Sequence, residues 1–243
     1  PDGHVLPYRK PLSLVVPGVT AWKRQLSPAE LGLRPLPAAP LTLSAVVLLD
    51  RSASAPRVPR AVPLGLTEAL SSVAAHSSGL TRMTAPLSTV AAHLAAASPV
   101  RVEYRDDADL APLVGELLAA SGAPRPDALV PVSAAMTPDR ETRASGGDYV
   151  AVPVLEAVTD GSALTVLRAV DNGDGVLTTV RGVAPAVWRA CRNGADRASI
   201  AASVVAEVGP PPAEESAHEA IGAALAELIR AGLVRHAAPQ PSR

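Results

Sequence analysis

Phenylalanine is absent from this chain of 243 residues, and two tryptophans and three tyrosines are its only aromatic side chains. A core without Phe must be filled by Val, Leu, Ile and Ala, leaving Trp22 and Trp188 as the large plugs. The single cysteine, Cys191, excludes an intrachain disulfide and fits a reducing compartment. No apolar run approaches the ~20 residues that a membrane span requires. No basic stretch followed by an apolar one opens the chain, so no signal peptide is read and a cytoplasmic setting is expected. The first residue is Pro1 rather than Met, as in a segment of a longer protein.

Lysine is equally scarce, with Lys10 and Lys23 set against 20 arginines. The formal net charge is −1, so no overall field draws the chain to nucleic acid or to an anionic membrane. The charge is uneven along the chain. Residues 1–147 carry +2, whereas residues 148–237 carry seven Arg against 11 Asp and Glu, a net −4.

Composition divides the chain into residues 1–120, an irregular Pro-, Ser- and Gly-rich linker at 121–148, a compact unit at 149–237 and a loose tail at 238–243. In the compact unit, the runs 149–158, 163–170 and 176–182 are β-rich. Between the last two stands Asp171-Asn172-Gly173-Asp174-Gly175, which has the look of a calcium loop. An EF-hand needs oxygen ligands at positions 1, 3 and 5, Gly at 6 and Glu at 12. Counted from Asp171, positions 3, 6 and 12 are Gly173, Val176 and Gly182, so the segment is read as a hairpin turn.

Beyond Gly182 the period becomes helical. Val183, Val187 and Trp188 share a face until Asn193-Gly194 closes the helix. Asp196 stands as N-cap of a second helix carrying Ile200, Val204 and Val208. A third helix is expected from about 213 to 231, with Glu214 and Glu215 at its positive end and Ile221, Leu225, Leu228 and Ile229 as its stripe. Three strands followed by three helices describe a winged helix-turn-helix.

Catalytic motifs are missing. There is no Gly-Lys-Ser/Thr phosphate loop, G-x-S-x-G, H-E-x-x-H or C-x-x-C. The five histidines, His4, His76, His93, His218 and His236, have no partner at helical spacing. Arg192 beside Cys191 would favour a thiolate, but the position suits a small core residue of a helix. Asp106, Asp107 and Asp109 precede a helix over 110–119, where acids complement its dipole. These residues imply no cofactor, no metal and no enzymatic chemistry. The acidic third helix, with Glu214, Glu215, Glu219 and Glu227 against Arg230, would repel a phosphate backbone. A strand edge beside a helix fits a peptide taken up by β-augmentation instead.

Residues 163–236 resemble the PqqD-like family, small winged-helix recognition elements for ribosomally made, post-translationally modified peptides (RiPPs). The resemblance lies in "TTVRGVAPAVWRACRNGADRASIAASVVAEVG" and "ALAELIRAGLV", with Trp188, Asn193-Gly194, Ile200-Ala201 and Gly232-Leu233-Val234 at the family's positions. Val183-Ala184-Pro185 departs from the polar, small run usual there. The resemblance implies that a precursor's leader adds as a strand beside Leu177, Thr178, Thr179, Val180 and Arg181. The facing helix surface would hold Glu219, Gly222, Ala223, Ala226 and Arg230. The small residues would leave room for apolar leader side chains, and Arg181 and Arg230 would pair with its acids.

Residues 1 to about 118 resemble the later half of an HPr kinase/phosphorylase-like α/β domain, in "DGHVLPYRKPLSL" (2–14), "PLTLSAVVLLDRSASAPRV" (40–58) and "SPVRVEYRDDADLAPLVGELL" (98–118). The half of that family with the phosphate loop and metal ligands has no counterpart here. The expectation is an α+β chain that binds a leader peptide and presents it to RiPP-modifying enzymes encoded nearby. The alternative is an HPr-kinase-like phosphotransferase whose nucleotide-binding half lies upstream. The apolar run 41–49 is expected to need a sheet or a partner to cover it.

Overall fold

In the computed structural model, residues 4–5, 10–15, 23–120, 130–132, 147–170, 173–211 and 216–237 are described. In chain order the N-terminal part forms β1 (His4–Val5), β2 (Leu12–Val15), β3 (Lys23–Leu26), β4 (Leu41–Thr42), β5 (Val47–Arg51) and β6 (Arg60–Pro63). Helices α1 (Leu66–Ala75) and α2 (Pro86–Ala97), strand β7 (Val100–Tyr104) and helix α3 (Leu110–Ala120) follow. Then come β8 (Val130–Val132), β9 (Tyr149–Ala151), β10 (Glu156–Thr159), β11 (Ala163–Ala169) and β12 (Gly175–Arg181). The chain continues through α4 (Ala184–Ala190), α5 (Arg197–Val208), α6 (Ala217–Arg230) and β13 (Val234–His236). The architecture is mixed α+β.

The central sheet is antiparallel, in the order β12-β11-β10-β8. Its strands alternate buried residues between two faces, which is why helices cover it on both sides. On one face Ala157, Leu164, Val166 and Val180 pack with Val187 and Trp188 of α4, Ile200 and Val204 of α5, and Ile221, Leu225 and Leu228 of α6. On the other, Val158 and Leu167 meet Leu66, Leu70, Leu87 and Leu94 of α1 and α2. Residues from both parts of the chain meet in this second cluster. Trp188 is 1% exposed and supplies the expected aromatic plug, while Trp22 lies outside the described residues.

The turn expected at 171–175 joins β11 to β12: the Val170 N–H donates to the Asp174 carbonyl and the Gly173 N–H to Val170, with Gly173 at φ +83°. Asn193-Gly194 closes the 3-10 turn that follows α4. Asp196 caps α5, and the bond from the Ser199 N–H (2.7 Å) holds its carboxyl below the usual range. The stripe of α6 is buried as expected at Ile221, Leu225 and Leu228, with Ile229 packed against it, whereas Glu214 and Glu215 lie outside the described residues.

Other elements differ from expectation. The run 149–158 contains two strands rather than one, because Pro153 has no N–H to give to a ladder. β10 joins the central sheet, but β9 pairs with β13, a strand that the sequence pattern did not distinguish from a return to the core. Within the stretch read as a linker, Val130–Val132 forms β8 at the far side of the sheet, and the tail at 238–243 is outside the described residues. Nearer the N-terminus, β5 and β7 pair in parallel with β6 antiparallel beside them. The sheet leaves Leu49 of the apolar 41–49 run 62% exposed. Among the described residues no helix is long and apolar enough to cross a membrane.

The N-terminus of α2 is capped from a distance. Its own N-cap position is Ala85, which has no side-chain acceptor. The buried Glu156 of β10 accepts from the Leu87 N–H (2.6 Å), the Ser88 N–H (3.1 Å) and the Ser88 hydroxyl. Glu156→Gln turns an amide group toward these donors and should lower unfolding free energy by about 2–3 kcal/mol, read from urea denaturation. A second tie is the Thr67 hydroxyl, which donates to Asp160 at 2.5 Å. Partial burial opposes the charge of Asp160, but bonds from Thr67, Ala163 and Ser162 outweigh it and bring the carboxyl from 3.8 down to about 2. Its stabilisation is complete above about pH 4 and is lost as pH falls through about 2. Acid denaturation profiles should therefore show a loss in this window that is smaller in Asp160→Asn.

Candidate functional site

Leu177, Thr178, Thr179, Val180 and Arg181 all fall in β12, which pairs with β11 from Ala163↔Arg181 to Ala169↔Gly175. Among the described residues, no strand lies on its other side. The bond from the Val170 N–H to Asp174 sets the hydrogen-bonding phase of the hairpin, and the Leu155 N–H reaches Leu167 from the opposite strand. Antiparallel alternation then turns the backbone groups of Val176, Thr178 and Val180 toward β11 and those of Leu177, Thr179 and Arg181 outward. The outer edge thus presents donors and acceptors at every second residue.

Side chains alternate in the same way. Val180 belongs to the core beneath α4–α6, with Thr178 and Val176 on that face. Leu177 packs on the α1–α2 cluster, and the Thr179 hydroxyl lies 3.1 Å from that of Ser71 in α1 and 3.0 Å from that of Thr165. Arg181, exposed, belongs to the α1 face as well. The edge is therefore flanked by α1 on one side and by the C-terminal helices on the other.

On α6, Glu219, Ala223, Ala226 and Arg230 are exposed, opposite the buried stripe of Ile221, Leu225 and Leu228. Gly222 is half-buried and faces α5: a β-carbon built on it would stand 2.5 Å from Arg197 Nη2, which donates to the His218 carbonyl. The Arg197 guanidinium occupies the room that this small residue was expected to leave. Arg181 and Arg230 were expected to work together on a guest's acids, but β12 and α6 set them on opposite faces of the sheet.

Two features escape the sequence pattern. One is Arg168 of β11, on the α6-facing side opposite Val176. Strand alternation alone would have located its face. The other is a cavity of about 760 Å³ between the C-terminal end of α1, the 3-10 turn Leu80–Arg82 and the hairpin. Leu80, Leu167 and Leu177 line it with Ser78, Thr81 and Arg82. The Thr81 hydroxyl donates to the Gly173 carbonyl at 2.9 Å, across 92 positions of sequence, a contact that no local signal announces.

Cys191 is fully buried, and burial pushes its thiol up to about 11, overriding any influence of the adjacent Arg192. Among the described residues, no three His, Cys, Asp or Glu side chains converge as metal ligands. The acids Asp107 and Asp109 lie in the 3-10 turn that leads into α3, as their position before a helix suggested.

Compared with protein-family models, curated proteins and solved structures, the chain matches none of them. Burial of Cys191 has a direct readout: a disulfide reagent at neutral pH should leave the native thiol intact and titrate one thiol per chain after unfolding in urea.

Proposed function

We propose that this protein captures an extended peptide as an added strand on the outer edge of β12. The open edge carries the reading, with the backbone groups of Leu177, Thr179 and Arg181 turned outward and helices over both faces of the sheet. Main-chain bonds supply affinity that is indifferent to sequence, and the flanking surfaces supply selectivity. The guest in this reading is the leader of a ribosomally made precursor peptide, which the protein presents in the cytoplasm to modifying enzymes encoded nearby. The order of a β-hairpin followed by α4, α5 and α6 supports a PqqD-like winged-helix recognition unit. The N-terminal part, resembling an HPr-kinase-like domain without its nucleotide half, serves as scaffold, and the capture step makes and breaks no covalent bond.

The scaffold has a concrete contribution in this reading. α1 closes the face of the sheet that a lone winged-helix unit would leave open, and the hydrogen bond between the Ser71 and Thr179 hydroxyls steadies the strand that receives the guest. The net −4 of residues 148–237 disfavours nucleic acid as the occupant.

The test titrates the full chain into the fluorescently labelled leader of the precursor peptide encoded beside its gene. Saturable binding tighter than about 1 mM is expected. Thr179→Pro removes an outward N–H at an edge position that tolerates proline, and should weaken binding at least about tenfold. Thr179→Val loses the hydroxyl bonds but keeps that N–H, and should bind nearly as the parent does. Absence of saturable binding, or equal affinity of the proline variant, overturns the proposal.

A further inference from the structure

Two cationic side chains around α4–α6 have acceptors among the described residues. Arg189 pairs with Glu207, and Arg197 donates to the His218 carbonyl. Arg168 and Arg197 each bury an Nε that has no hydrogen-bond partner. Arg197 still donates through Nη2, whereas among the described residues the Arg168 guanidinium forms no ion pair. Arg168 is half-buried, and an unmet donor on a partly shielded charged group is unfavourable, so its guanidinium is suited to an anion.

Its location says which anion. Arg168 sits in β11 directly opposite Val176, one strand inward from the open edge. The guanidinium extends toward Gly232 at the end of α6: a β-carbon built there would lie 3.2 Å from Nη2. Gly232, at φ +69°, thus gives both the turn after α6 and the space that Arg168 fills. A strand added beside β12 would place one residue opposite Val176, in the same cross-strand row as Arg168 and on the same face. That row spans two strand spacings, about 10 Å, which the long Arg stem and a Glu or Asp side chain cover together.

The next guest residue, opposite Leu177, points to the other face, where the cavity of about 760 Å³ opens between Leu80, Leu167 and Leu177. Ser78, Thr81, Arg82 and Asp174 also line this cavity, so its apolar ground is the three leucines, and the two faces present different chemistries at adjacent positions.

We infer that Arg168 selects an acidic side chain at the guest position opposite Val176, next to an apolar side chain that enters the cavity under Leu177. This rests on the strand-addition reading above and adds its specificity: the guest is an extended acidic–apolar peptide, although the unit that holds it is itself net acidic.

The test selects binders to the full chain from a library of random dodecapeptides, in parallel with Arg168→Gln, Arg168→Lys and Arg168→Glu. Each variant is first checked for an unchanged thermal melt. The parent should enrich Asp or Glu at one fixed position with an apolar neighbour. Arg168→Lys should keep that acid preference in weaker form, Arg168→Gln should lose it, and Arg168→Glu should exchange it for Lys or Arg. Peptides enriched without an acid preference, or with one that survives Arg168→Gln, overturn this inference and leave strand addition standing. A library that yields no binder to the parent at all overturns both.

Discussion

The Glu156 carboxylate leaves water to hold the first N–H groups of α2, and much of the structure depends on that attachment. Glu156 belongs to β10, in the middle of the central sheet, whereas α2 belongs to the N-terminal part of the chain. A charge removed from solvent is tolerated only when donors surround it, and the exposed amides at a helix start are a ready set. Once α2 is fixed there, α1 lies beside it and the second face of the sheet is closed by Leu66, Leu70, Leu87 and Leu94. Asp160 and Thr67 repeat the same kind of tie at the other end of β10.

Covering both faces has a consequence for the rim. A sheet sandwiched between two helix layers meets a partner chain most readily along an unpaired strand, because only there are backbone groups left without protein acceptors. The sheet ends at β8 on one side and at β12 on the other, and β12 is the rim whose side chains enter both helix-covered cores. The same alternation that buries Val180 under α6 ties Thr179 to Ser71 and turns the Thr179 amide outward, so a single strand serves both cores and keeps an outer edge with no paired strand among the described residues. Electrostatics then distinguishes the faces: α6 carries Glu219 and Glu227 on its exposed side, while Arg168 brings a positive charge between the sheet and the end of that helix.

Local signals were legible wherever one or two turns of chain contain the cause. Asp196 capping α5, the turn around Gly173, and the buried Ile221, Leu225 and Leu228 of α6 each follow from spacing and residue type within a short window. The partners of strands were less so. The run 149–158 has the composition of one strand, yet Pro153 divides it and its halves join different sheets; β13 is too short to show a period. Of the candidate site, the five residues Leu177–Arg181 lie on one edge strand, the space beside Gly222 is filled by Arg197, and the placement of Arg168 beside Gly232 and of the cavity wall has no local signal.

The sequence by itself determined the α+β character, the position of the hairpin and the course of the last three helices, because hydrogen-bonding propensity and apolar period act over neighbouring residues. Only the tertiary structure decided which face each strand residue serves and that α1 and α2 complete the core. It likewise set Arg181 and Arg230 on opposite sides of the sheet, and left the Arg168 Nε without an acceptor among the described residues. Those outcomes depend on burial and on contacts such as Thr81 to Gly173 or Glu156 to Leu87, where the partners are far apart in the chain and the free energy comes from excluding water between them.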